Sequence, residues 1–385
     1  MKKIVLAPDS FKGTMSSSRV CTVMEAAVKK VFPEAVVVSV PIADGGEGCV
    51  DAFLYAVGGT KKTLPVKNLF FEDMCGFYGI VGSAGACTEK TAVIETASCT
   101  GLPLAAGRLN PFITTTYGVG MLIADALKNG CKTVIAGLGG SATNDGGCGA
   151  AAALGVRFFD ESDNCFIPTG GTLKKIRRIS TADVNPLLKS AKLMVLCDVD
   201  NPLYGVNGAA YVFAPQKGAD GAAVKELDEG LRFLAEIVKR DTGNDFADYP
   251  GAGAAGGMGF GMLGFLGADL KAGTETVLDA VHFDELVKGA NYIFTGEGSL
   301  DDQSLRGKAV VGIARRAKKH GIPVIAVVGN AENGTDDIYN MGVTAVFSIN
   351  RRAVPLSEAR KTAESDLFFV MNNILRLMRI KELVL

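Results

Sequence analysis

A short β-branched run, a loop dense in Gly and Asp, and then a helical stretch recur in that order along this chain, and the recurrence leaves little choice of fold. The pattern appears first as KIVLAPDSFKGTMSSS from residue 3, followed by a segment whose Val20, Val23, Met24, Ala27, Val28 and Val31 fall at helical spacing. It returns as AVVVSVPIADGGEG before a helix near Cys49, as TVIAGLGGSATNDGG before an alanine-rich stretch, and as KLMVLCDVDNPLYG. Toward the C-terminus come NYIFTGEGSLDDQS with a helix from about Lys308, IPVIAVVGNAENG, and TAVFSIN before a closing helix from about Ser357. Strands alternating with helices build βαβ units and a largely parallel sheet, so the fold class is α/β.

The middle of the chain changes character. Residues 66 to 115 read as shorter strands and turns, and 157 to 185 as an irregular excursion. Two sheets account for this better than one, and 385 residues suffice for two cores. The expected organisation is a discontinuous Rossmann-like or flavodoxin-like domain built from 1–65 and 288–385, with a second α/β domain, 66–287, inserted between them. Polar residues fall where such a fold places its ligands: Asp9, Ser10 and Lys12, then Asp44 and Glu47, Ser141 to Asp145, Asp198 and Asp200, and Glu297, Asp301 and Asp302 all follow an expected strand. In open α/β sheets ligands bind beyond the carboxyl ends of the strands, so these loops can converge on one cleft.

The loop after Thr133–Ala136 invites a closer look. Its unblocked amides, beside the positive end of the following helix, suit an anion such as a phosphate; a nucleotide and a phosphorylated substrate are both candidates. The plainer alternative is that Ser141 and Thr143 cap the helix. Gly137-Leu-Gly139-Gly-Ser-Ala142 also fits a dinucleotide fingerprint, with Asp160 near the spacing wanted for a ribose contact. Against that, Thr143 to Gly147 are turn formers where the fingerprint needs helix. Gly251-Ala-Gly253-Ala-Ala-Gly256 is a weaker match, since Pro250 precedes it and no strand leads in; it reads as a flexible turn into a closely packed, glycine-rich helix. No Walker A sequence is present, because Gly307-Lys308 lacks both the upstream glycine and a following Ser or Thr.

Composition excludes several classes. Forty basic residues against 41 acidic ones leave a formal charge of -1, which provides no surface for a nucleic-acid backbone. Nine scattered cysteines without a C-x-x-C pair read as buried small hydrophobes in a reducing compartment. The stretch Ile4 to Ala7 is too short for a signal-peptide core and no run approaches the length of a membrane span, so a cytoplasmic protein without membrane partners is expected. With only His282 and His320, imidazole chemistry is disfavoured and carboxylates, lysines and amides become the tools. Asp198 and Asp200, at i and i+2 of an extended segment, either share a cation or divide into a turn cap and a solvated carboxylate. Asp44 and Glu47 are equally an Asx-turn and a helix-start pair.

APDSFKGT (7–14), PIADGGEG (41–48), TTTYGVG (114–120), GGSATNDGG (139–147), CDVDNPL (197–203), APQKGA (214–219), PGAGAAGGMG (250–259) and TGEGSLDDQSLRGK (295–308) together resemble the bacterial glycerate kinase family, in its order and along nearly the whole chain. The resemblance implies ATP-dependent, magnesium-assisted phosphorylation of D-glycerate by two α/β domains with the active site in the cleft between them. It implies 2-phospho-D-glycerate as product, with 3-phosphoglycerate the alternative, in glyoxylate and sugar-acid breakdown. Ser299 and Ser304 depart from the Arg and Thr common in the family. On this basis Gly139, Gly140, Ser141, Thr143 and Asn144 are expected to cradle the phosphates, and Asp198, Asp200 and Glu297 to serve Mg²⁺. Ser10, Lys12, Glu47 and Lys308 are expected to meet the substrate. Asp44 is expected to accept the hydroxyl proton, with Glu297 in reserve, and Asp198 and Lys12 complete the catalytic set. The rival readings are an NAD-dependent dehydrogenase of a small hydroxy acid and a sensor that binds a phosphometabolite without turnover.

Overall fold

The structure is a computed structural model that describes residues 2–383 apart from 12, 44, 47, 83–88, 302–303, 305–307 and 333. The chain divides into two compact units: Met1–Asp44 with Asp51–Val57 and Thr274–Leu385, and Gly45–Val50 with Gly58–Gly273. These limits differ from the expected 65/66 and 287/288 for local reasons. Strand Thr60–Lys67 pairs along its length with Asp73–Val81, which binds it to the second unit. Helix Gly273–Ala280 is tied to the first, where Arg316 Nη2 donates to Glu275 Oε2 at 2.7 Å and to Asp279 Oδ1 at 2.5 Å.

The first unit is built on five parallel strands in the spatial order Val343–Ser348, Val324–Val328, Tyr292–Thr295, Lys3–Leu6, Val36–Ser39. Numbered along the unit this is 5-4-3-1-2, the flavodoxin-like order, whose topological switch point lies between its first and third strands. The three inner strands are buried on both faces and are apolar runs rather than alternating ones, whereas the edge strands Val36–Ser39 and Val343–Ser348 are partly exposed. Ile4, Leu6 and Phe294 pack with helix Ser17–Val31 and the closing helix Leu356–Leu383, while Val5 and Ile293, buried as well, serve the other face. Helix Ser17–Val31 starts where Ser16 accepts a hydrogen bond from Arg19 N, and every apolar position read at helical spacing is buried. At about 1.5–3 kcal/mol for each fully buried Val or Met, this stripe rather than helix propensity holds the element in place.

The second unit carries a mixed six-stranded sheet ordered Asp269–Lys271, Lys192–Leu196, Thr133–Gly137, Thr91–Glu95, Asp73–Val81, Thr60–Lys67, the first four parallel and the last two antiparallel. Its core gathers Ile94, Val134, Ala136 and Val195 with Leu227, Leu231 and Leu234 of helix Gly221–Thr242 and Phe260 of helix Ala254–Leu266. The excursion expected at 157–185 contains a small antiparallel sheet centred on Arg157–Phe159. Among the described residues no helix is long and apolar enough to cross a membrane. Most described cysteines are free and buried as expected, but Cys75 and Cys165 are exposed, Cys75 because it falls on the outward-facing register of Asp73–Val81.

Candidate active site

In the first unit the switch point is where polar groups gather. The chain leaving Lys3–Leu6 and the chain leaving Tyr292–Thr295 stay laced together beyond the sheet: Thr295 Oγ1 donates to Ala7 O at 2.9 Å, and Asp9 N to Gly296 O at 2.8 Å. That lacing brings Asp9, Ser10 and Glu297 to one cavity of about 450 Å³. Lys308 lines it too, with Nζ 3.6 Å from Asp301 Oδ1. The opposite wall comes from the closing helix, which contributes Ala359, Arg360 and Ala363. Sequence reasoning missed Arg360: it lies in a helix of mixed charge, far along the chain from any glycine loop, and no local signal distinguishes it. Its guanidinium makes no ion pair among the described residues. Ser10, Lys308 and Glu297 are thus brought together, whereas Lys12, Asp44 and Glu47 lie outside the described residues. Ser304, where Thr is common in the family, donates through both its N–H and its Oγ to Asp301 Oδ1, at 2.9 and 3.2 Å.

In the second unit the loop after Thr133–Gly137 is held on all sides. Gly139 N donates to Gly45 O, Ala142 N to Thr100 O and Thr143 N to Ser141 Oγ. Glycine is required at Gly137 and Gly139 because a Cβ would stand 2.1 Å from Gly45 O and 2.4 Å from Gly46 Cα, respectively. The amides of Gly140, Ser141, Asn144 and Asp145 donate to no acceptor among the described residues. Gly140 is exposed, but Ser141, Asn144 and Asp145 are buried, and buried polar groups are nearly always satisfied, so their unspent amides fit an anionic ligand. The Asn144 side chain is wholly buried, and neither its Oδ1 nor its Nδ2 has a partner among the described residues. The expected role for the helix end is corrected. Helix Cys148–Ala153 has only 6 residues, and its first amides are taken by Asp145: Gly147 N donates to Oδ1 and Gly149 N to Oδ2, both at 3.1 Å. The loop amides, not the helix dipole, remain for an anion.

Asp145 is the organiser that sequence reasoning left without a role. Its fully buried carboxylate also accepts from Thr116 N and Thr116 Oγ1, each at 2.8 Å. Burial raises its pKa, and these hydrogen bonds oppose the rise. Lys217, in the quoted APQKGA segment, was likewise unassigned; it is 1% exposed and donates to Thr143 O at 2.6 Å. Burial pulls its ammonium down to about 7 against the attraction of Asp145. The PGAGAAGGMG segment is a backing for this loop rather than a flexible turn. Ala255, Gly256 and Gly257 adopt left-handed φ of 52°, 70° and 87°, and Gly146 N donates to Gly256 O.

Beyond strand Lys192–Leu196, Asp198 is half-buried with Oδ1 accepting from Gly273 N at 2.7 Å, and Asp200 is exposed. Among the described residues no three His, Cys, Asp or Glu form a group able to hold a metal. The dinucleotide reading fails on geometry. Asp160 ties a turn by accepting from Ser162 N and Asn164 N, each at 2.9 Å, and the Gly137–Ala142 loop continues to Gly147 before any helix begins.

The chain matches the glycerate kinase family over residues 4–379. The chain belongs to that family. Among members, a glycerate kinase of Halalkalibacterium halodurans is 43% identical over 97% of each chain. The glycerate 2-kinase of Escherichia coli K12 is 42% identical over 97% of each. A crystal structure described as that of a glycerate kinase 2 from Salmonella typhimurium LT2 superposes with a TM-score of 0.83 at 36% identity, covering 99% of both chains. The resemblance drawn from eight short motifs therefore extends through the whole α/β fold, and family membership makes the chain a kinase with ATP as phosphate donor.

Proposed function

We propose that this kinase transfers the γ-phosphoryl group of ATP to the C2 hydroxyl of D-glycerate, working in the cytoplasm with its two compact units as its two domains. The observation that carries the reading is the loop of the second unit, whose amides at Gly140, Ser141, Asn144 and Asp145 donate to no acceptor among the described residues. Phosphoryl transfer asks the protein for position and charge neutralisation more than for covalent chemistry, and such a loop supplies both. Asp198 and Asp200 are assigned to Mg²⁺. Their donor set fits: Mg²⁺ uses one or two carboxylates, completing its shell with phosphate oxygens and water, and Asp198 and Asp200 are two carboxylates at i and i+2 just beyond one strand. Bound there, the ion would neutralise charge on the phosphates.

In the first unit the substrate's carboxylate is assigned to Lys12, aided by Ser10; among the described residues Lys308 and Arg360 are cations that line the cavity. Glu47 is assigned to the substrate, Asp44 to the hydroxyl proton, and Glu297 to the base or the metal in reserve. The deciding experiment incubates purified protein with ATP, MgCl₂ and D-glycerate and identifies the product by ³¹P and ¹³C NMR. Phosphorus coupled to C2 is expected. Coupling to C3 would transfer the assignment to 3-phosphoglycerate, and ligand binding without product would favour the sensor.

A further inference from the structure

We propose that Lys217 is a positioning residue for ATP: by holding the Thr143 carbonyl, it aims the Asn144 N–H in the opposite direction within the shared peptide plane and presents it to a phosphate. The inference rests on the phosphate-loop reading above and adds to it a residue outside the loop. A trans peptide sets C=O and N–H antiparallel, so whatever fixes the one aims the other; the described chain contains no cis bond. Here the carbonyl is fixed twice. Lys217 Nζ donates to it at 2.6 Å, and from another direction Gly256 crowds it so closely that a Cβ there would stand 2.0 Å away. Gly256 itself holds φ +70°, which a side chain rarely adopts.

The positions of these groups argue against a purely structural lysine. A buried ammonium is costly, and an apolar side chain of similar volume would fill the same space without that cost. Lys217 spends the hydrogen bond on a carbonyl whose peptide partner, the Asn144 amide, has no acceptor among the described residues. Asp145, one residue further, carries the opposing charge and its own unspent amide. The 3₁₀ turn Pro215–Lys217 is closed by Gly218 at φ +96°, so backbone geometry as well as burial delivers the side chain to this one carbonyl.

The test compares Lys217→Met, which keeps volume and removes the donor, with the unaltered enzyme. KM for ATP is expected to rise about tenfold, the loss of one charge-assisted hydrogen bond, while KM for D-glycerate stays within about twofold. A folded variant with unaltered KM for ATP, or with both constants rising together, overturns the proposal. Should the variant not fold, amide exchange in the unaltered protein decides: a non-hydrolysable ATP analogue is expected to protect the Asn144 N–H, and no protection overturns the proposal. Absence of any phosphoglycerate from the unaltered enzyme would instead remove the functional reading on which this inference stands.

Discussion

Replacing Asp145 tests the loop architecture most directly, because one carboxylate holds four short contacts. In Asp145→Ala, Thr116 N, Gly147 N and Gly149 N lose their acceptor, as does Thr116 Oγ1. An orphaned buried donor costs about 1–3 kcal/mol, but the variant also sheds a buried charge and the threonine hydroxyl can turn elsewhere. A net loss of about 4 kcal/mol follows. Asp145→Asn keeps the shape and one acceptor oxygen; its NH₂ must then face either Gly147 N or the cluster at Oδ2, for a loss of about 2 kcal/mol. For a folding unit of roughly 200 residues each kcal/mol moves Tm by about 2–4 °C, so the falls are about 4–8 °C for Asn and about 8–16 °C for Ala. Calorimetry on both variants, with ATP titrated well below the transition, measures stability and loop function together. Because Lys217 loses its counter-charge in either case, the pair Asp145→Asn and Lys217→Met should cost less together than the sum of the singles. An Asn variant melting within a degree of the unaltered enzyme, or strict additivity in the cycle, would refute the reasoning.

Further outcomes follow from the same geometry. Burial holds Lys217 at about 7 against an ordinary 10.5, so the unfolded chain binds one more proton between those values. Stability should therefore climb by up to about 1.4 kcal/mol per pH unit from pH 7 toward 10 and be lost as pH falls through 7; denaturant titrations should find that climb absent in Lys217→Met, and parallel pH profiles would count against it. Asp198→Asn preserves an acceptor for Gly273 N, so Tm should stay within a few degrees while kcat drops on the order of a hundredfold; near-normal turnover would remove Asp198 from the mechanism. Arg360→Gln should raise KM for D-glycerate about tenfold and leave KM for ATP alone, and steady-state kinetics showing no change would assign the carboxylate elsewhere.

What the sequence made legible was whatever local chemistry specifies. The Val20–Val31 stripe is buried as read, because helical period and apolar face are properties of one segment. The inner strands of the first sheet stand out because a parallel strand covered on both faces is apolar nearly throughout. The antiparallel pairing of Thr60–Lys67 with Asp73–Val81 did not stand out: partnership across a turn is a tertiary fact, and Lys61, Lys62 and Pro65 disguise the strand. For the same reason a boundary expected at 65 falls before that strand.

The site divides along the same line. Glycines at Gly137, Gly139 and Gly256 mark close backbone approaches, and the sequence displays every one, yet which backbone each admits depends on the fold: Gly45 and Gly46 for the first two, Thr143 for the last. Asp145 sat in plain view within GGSATNDGG and was passed over because its role lies in Thr116, 29 positions earlier. Lys217 is 74 positions from the carbonyl it holds. Most residues expected to meet a ligand lie in motifs whose spacing can be read, Arg360 of the closing helix being the exception, and residues that aim those motifs are chosen by the packing. Lys217 leaves one trace, a lysine between Pro215 and the left-handed Gly218 that the packing buries, where an unpaired charge would be too costly to persist.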